Sequence, residues 1–157
     1  MFSSSLLNAQ TTVKSKIFNL VLKSIISNKV PEISVEDAFL NRHNCLFLDA
    51  REPEEYNVSH LQNAIFAGYK NFSMSSVQNI SKNKPVIVYC AVGKRSATIT
   101  ERLVNAGFTN VHNLYGGIFE WVNEDLPVYN AQNKQTDSVH AFSHFWGHFL
   151  DKGKKVY

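Results

Sequence analysis

Residues 85–96 read PVIVYCAVGKRS, and the fold turns on them. Val86, Ile87 and Val88 are β-branched, Tyr89 is aromatic, and no polar residue interrupts the four. That is the pattern of a strand buried on both faces. Cys90 follows, then a short loop with Gly93 and two cations, Lys94 and Arg95, and a helix expected to begin near Ser96. A strand running through a tight turn into a helix sets Cys90 at the carboxyl edge of a sheet, where open α/β folds place their ligand sites. The amides of Ala91 to Arg95 are then expected to converge on the sulfur, with the positive end of the helix aimed the same way. Such a ring favours a thiolate and holds an anion. The stretch therefore predicts a nucleophilic Cys90 acting on an anionic substrate.

The flanking sequence supplies the rest of such a sheet. Cys45 to Asp49 (CLFLD) reads as a second buried strand ending in an acid, and Pro53 sits where the first turn of a helix over Glu52 to Tyr56 tolerates it. Ala64-Ile65-Phe66 predicts a short strand, Ser73 to Ile80 a helix, and Lys82 to Pro85 the loop that delivers the cysteine strand. Beyond the loop, Ala97 to Asn105 carries Ile99 and Leu103 on one face and stops at Gly107. Val111 to Leu114 is a further strand, Tyr115-Gly116-Gly117 a turn, and Ile118 to Asn123 a helix holding Trp121. On the amino side, Val30 to Ile33 is extended and Ser34 caps a helix reaching Leu40. Strands alternating with helices specify an α/β fold in three layers, a central parallel sheet of about five strands joined by right-handed crossovers.

Composition bounds the partners. A chain of 157 residues with 44% apolar residues suits one domain with short extensions. Its formal charge of +3 comes with no Lys/Arg run that compares with a nucleic-acid footprint, which argues for small anions and against nucleic acid. Two cysteines, Cys45 and Cys90, make neither a disulfide framework nor a zinc cluster. A reducing, cytoplasmic setting is expected, because the amino end lacks the shape of a secretory signal and Lys23 interrupts an apolar run too short to span a bilayer.

Both ends carry amphipathic segments. Ile17, Phe18, Val21, Leu22, Ile25 and Ile26 recur at helical spacing with Lys14, Lys16 and Lys23 on the remaining surface. Residues 1–29 are therefore expected to form a helical extension that packs on its own domain or on a second copy, without stable insertion into a membrane. Asn130 to Asp137 reads as a polar linker, and Val139, Phe142, Trp146 and Phe149 predict a carboxy-terminal aromatic helix within 130–157. A homodimer formed through these terminal helices is one expectation. His140, His144 and His148 fall at i, i+4 spacing, but no acid or cysteine accompanies them, so they read as solvated or packing histidines rather than metal ligands.

From Val30 to Tyr129 the chain resembles the rhodanese family of single-domain sulfurtransferases. LDAREPEEY (48–56) with HLQNA (60–64) is similar to that family's first motif, IVYCAVGKRSA to its active-site loop and LYGGIFEW (114–121) to its closing motif. The pattern departs at Asn63, where members commonly have glycine, although Asn tolerates a left-handed backbone. The resemblance implies a rhodanese-like domain over 30–129 whose Cys90 cycles between thiolate and persulfide, needing neither cofactor nor metal. It implies a small anionic sulfur donor such as thiosulfate, and a thiol, cyanide or thioredoxin-like acceptor. Ala91, Val92, Gly93, Lys94 and Arg95 would bind the donor, and Asp49 and Arg51 would support the loop.

Each role has a plainer counterpart. Arg95 binds the donor or pairs with an acid; Lys94, at the loop's tip, faces the same choice. Asp49 and Arg51 read foremost as an ion pair holding the strand-to-helix turn. His60 reads as architectural, because a pre-ionised thiolate needs no general base. Cys45 reads as core packing. Two rivals remain: a phosphatase of the same fold, whose loops resemble this one with one more residue between cysteine and arginine, and a non-catalytic rhodanese-like binding module.

Overall fold

The computed structural model describes residues 11–26 and 29–157. Residues 1–10 of the amino-terminal stretch read as unlike a secretory signal lie outside the described residues. Among the described residues no helix is long and apolar enough to cross a membrane.

Five parallel strands form the central sheet: β1 (Glu32–Ile33), β2 (Leu46–Asp49), β3 (Ile65–Phe66), β4 (Val86–Tyr89) and β5 (Val111–Leu114), in the order β1-β5-β4-β2-β3. β4 lies at the centre, with Leu46 opposite Val86 on one side and Val86 opposite Val111 on the other. Its four residues are wholly buried and alternate between two cores. Val86 and Val88 face a cluster with Ile99 and Leu103 of helix α4 (Lys94–Asn105). Ile87 and Tyr89 face α1 (Lys16–Ile25), α2 (Val35–Leu40) and α5 (Gly117–Asn123) through Phe18, Leu22, Ala38 and Phe119. The unbroken apolar run thus marks a strand covered by helices on both faces.

Local chemistry sets the element ends. The Ser34 hydroxyl accepts from the Asp37 amide at 3.1 Å and starts α2. Glu52 and Glu55 form a reciprocal capping box around Pro53 at the start of α3 (Pro53–Val58). Asn63 adopts φ 59°, the left-handed conformation in which asparagine takes the place of glycine. Helix α1 packs on its own domain: Phe18 and Leu22 are buried, the Lys14 amide donates to Glu120 Oε1 at 2.6 Å, and the Tyr115 hydroxyl donates to Asn19 at 3.1 Å.

Three expectations need correction. Ser73 to Ile80 holds only a 3₁₀ turn at Met74–Val77. The supposed linker 130–137 is a hairpin turn, in which β6 (Val128–Tyr129) pairs antiparallel with β7 (Gln135–Thr136). Asn130 Oδ1 closes that turn by accepting from the amides of Gln132 and Lys134. The carboxy-terminal segment is not one helix: it runs β8 (Ser138–His140), the single turn α6 (His144–Gly147) and β9 (Lys154–Val156), with β8 and β9 paired in parallel. Val139 and Ala141 are both fully buried, a spacing of two that a strand puts on one face and a helix does not. His140 therefore lies on a strand, apart from the helical stripe its spacing suggested.

Candidate active site

Cys90 follows the last residue of the central strand, at the carboxyl edge of the sheet. Helix α4 begins at Lys94, two residues earlier than expected, with Gly93 as its N-cap at φ 109°. The loop proper is therefore Cys90 to Gly93, and Lys94 and Arg95 belong to the first helical turn. Among the hydrogen bonds to the sulfur, the Gly93 amide donates to Cys90 Sγ at 3.2 Å. Among the described residues it is the Gly93 amide, of the ring expected around Sγ, that donates to it. Cys90 is 1% exposed, and Ala91 and Val92 each 5%.

Beneath the sulfur lies a buried polar chain that the sequence reading did not single out. Ser96 Oγ is 3.4 Å from Cys90 Sγ and 2.6 Å from Asn113 Oδ1, and Asn113 Nδ2 donates to the Gly93 carbonyl at 3.0 Å. Asn113 on β5 thereby ties both ends of the loop to the neighbouring strand. From the other side the Ile118 amide donates to the Cys90 carbonyl at 2.9 Å and the Phe119 amide to that of Ala91 at 3.1 Å. A Cβ on Gly117, which has φ 59°, would lie 2.5 Å from both carbonyl oxygens. The second glycine of the Gly-Gly pair is thus the surface on which the cysteine loop rests, a closer duty than the turn predicted for it. A Cβ on Gly93 would meet Ile26 Cδ1 at 3.1 Å, so the residue capping the end of α1 reaches the loop as well.

Arg95 engages an acid. Its Nη1 and Nη2 each meet one oxygen of Glu55, both at 2.7 Å, and Glu55 is buried on α3. Burial alone would raise the Glu55 carboxyl, but the paired guanidinium holds it below its usual range. Burial likewise disfavours the charge on Arg95, and Glu55, with Cys90 nearby, keeps it firmly protonated. The guanidinium also lies 4.7 Å from the ring centre of Phe142. Lys94 is exposed.

Asp49 and Arg51 form a second pair, with neither side chain exposed. Arg51 Nη2 donates to Asp49 Oδ2 and to the Ser59 carbonyl, each at 2.6 Å, and the Tyr89 hydroxyl donates to Asp49 Oδ2 at 2.6 Å. Burial and the adjacent carboxylate push the Tyr89 phenol well above its ordinary range. This network meets the cysteine strand through Tyr89 and through the Ala50 amide, which donates to the Tyr89 carbonyl at 2.8 Å.

The remaining candidates have other partners. His60 stacks on Tyr56 at 4.1 Å and exchanges backbone hydrogen bonds with Tyr129. Cys45 precedes β2 at the opposite end of the sheet, level with Pro85 and about 16 Å along the strand direction from Cys90, which is too far for a disulfide. Burial pushes its thiol up to about 11. His144 stacks on Tyr157 at 4.1 Å, His148 Nδ1 meets the His144 carbonyl at 2.8 Å, and His140 Nδ1 accepts from the Phe142 amide at 3.0 Å.

A parallel α/β sheet that carries a cysteine loop on its central strand and seats that loop on a glycine pair defines a narrow class of protein. The chain belongs to the rhodanese-like domain family, whose model matches residues 35–124. It is 33% identical over 86 residues to the thiosulfate sulfurtransferase GlpE of Coxiella burnetii, covering 52% of this chain and 76% of that protein. It is 30% identical over 117 residues to the chloroplastic thiosulfate sulfurtransferase 16 of Arabidopsis thaliana, covering 68% and 96%. The crystal structure of a rhodanese-related protein from Thermoplasma volcanium matches 62% of this chain and 96% of its own at a TM-score of 0.53 and 30% identity.

Proposed function

We propose that this protein is a sulfurtransferase that carries a sulfane sulfur on Cys90 from thiosulfate or a related persulfide to a thiol or to cyanide. The observation that carries the reading is the seat of the sulfur. Sγ receives the Gly93 amide at 3.2 Å and lies at the positive end of the 12-residue helix α4. In the first half-reaction the Cys90 thiolate attacks the outer sulfur of thiosulfate. A new S–S bond forms, the S–S bond of the donor breaks, and sulfite leaves with the electron pair. In the second, cyanide or a thiolate attacks the terminal sulfur, the Cys90 thiolate departs, and thiocyanate or a new persulfide is released. Lys94, exposed in the first turn of α4, is the cation offered to the sulfonate group. Arg95 acts through Glu55, joining α3 to the cysteine loop and adding positive potential without surrendering its paired nitrogens.

The family relation to proteins named thiosulfate sulfurtransferases supports sulfur transfer as the reaction, and the length of the loop supports sulfur over phosphoryl transfer. A reducing, cytoplasmic setting belongs to the same proposal, since turnover requires a thiolate at Cys90 and both cysteines are free. The test is thiocyanate formation from thiosulfate and cyanide, with Cys90→Ser beside the wild type. Turnover in the wild type alone is expected, together with a mass increase of one sulfur atom on Cys90 after treatment with thiosulfate. Equal rates in the two proteins would sink the mechanism.

A further inference from the structure

Phe142 lies outside the segment shared with the family, in the turn between β8 and α6, and its backbone is unusual. It adopts φ 64°, a left-handed conformation that a bulky side chain rarely enters. Its neighbours hold it there. The Phe142 amide donates to His140 Nδ1 at 3.0 Å, the Ser143 amide donates to the Ala141 carbonyl at 2.7 Å, and Val139 and Ala141 are fully buried. Strained backbone of this kind persists where its surroundings over-determine it, and it gathers at ligand sites.

The strain delivers the ring to one place, the guanidinium of Arg95, at 4.7 Å. Arg95 is already clamped by both oxygens of Glu55, so it does not need the ring to hold it. The contact therefore runs the other way, with the fixed cation seating the ring. Phe142 remains 48% exposed over the first turn of the helix that follows the cysteine loop, whose sulfur-bearing residue is 1% exposed. Resting on the sulfur-transfer reading, we infer that Phe142 is a specificity-determining residue: an aromatic wall beside the cysteine loop that admits small sulfur donors such as thiosulfate and excludes bulky persulfides. The carboxy-terminal extension thereby narrows the choice of donor without touching the reacting atoms.

Phe142→Gly tests this in the full chain, because glycine accepts φ 64° and the turn is retained while the ring is lost. The first readout is the rate of Cys90 modification by a small thiol reagent, methyl methanethiosulfonate, and by a bulky one, dithiobis(nitrobenzoate). Mass analysis of the Cys90 peptide keeps Cys45 out of the count. The bulky reagent is expected to gain about tenfold and the small one under about twofold, the scale on which pocket walls discriminate. In turnover, kcat/KM for glutathione persulfide relative to thiosulfate is expected to rise by a similar factor. An unchanged ratio between the two reagents, or an equal gain for both, overturns the inference. Thiol labelling does not depend on sulfur transfer, so a changed labelling ratio in a protein that forms no thiocyanate would remove the proposed reaction and leave the wall standing.

Discussion

Two arginine–carboxylate pairs flank the cysteine loop. Arg51 meets Asp49 two residues away with neither side chain exposed, whereas Arg95 reaches 40 residues to Glu55 and keeps 16% of its side chain in solvent. The local pair closes a turn and is sealed by Tyr89. The distant pair joins α3 to the first turn of α4, and its outer face carries the Phe142 ring. A buried pair is costly to break because the remaining charge cannot reach water. The local pair should therefore govern stability, and the distant one the arrangement of the site.

Arg51→Met tests the sharpest form of that contrast. It strands the Asp49 carboxylate in the core and is expected to lower unfolding free energy in urea by about 3–5 kcal/mol. A loss under about 1 kcal/mol, the scale of a surface pair, would erase the difference between the two pairs. Gly117→Ala is the backbone counterpart of a distant tie. Its Cβ has no room beside the Cys90 and Ala91 carbonyls, and left-handed strain adds about 1–3 kcal/mol. Thiocyanate formation is expected to fall about a hundredfold as the sulfur is displaced.

Glu55→Gln breaks the distant pair at a cost of about 1.5–3 kcal/mol at neutral pH, the scale of a hydrogen bond to a charged group. Its pH dependence sharpens the case. The Glu55 carboxyl is depressed in the fold, so its contribution is present above the ordinary value of 4.5 and is lost as pH falls through the lower folded value. The gap between wild type and Glu55→Gln in thermal unfolding should close below about pH 4.5; a constant gap down to strong acid would show that the charge is not what the pair contributes. The smallest effect is local again. Asn63→Ala should cost about 1 kcal/mol for its left-handed backbone, measured in urea, while Asn63→Gly stays near wild type.

The same division between local and distant explains how much of the molecule the sequence disclosed. The run Val86–Tyr89, the Ser34 cap and the Pro53 helix start rest on neighbours within a few residues, and each was legible. So was the place of Cys90 at the edge of the sheet, because strand, turn and helix lie in one stretch. Glu55 was legible only as a helix residue, since nothing near it in sequence points to Arg95. Asn113 read as one polar residue in a short strand, and its bonds to Ser96 and Gly93 follow from the parallel register of β4 and β5. The carboxy-terminal segment misled because Val139, Phe142, Trp146 and Phe149 satisfy a helical period while the burial of Val139 and Ala141 obeys a period of two. Over so short a span the two patterns overlap.

The order of the sheet also dictates a schedule. β1 pairs only with β5, so Ile33 must wait for Leu114, and the Cys90 carbonyl must wait for the Ile118 amide. During synthesis, which proceeds from the amino end, Cys90 leaves the ribosome before the glycine pair that seats it. For that interval its own fold does not shield the thiol from oxidation.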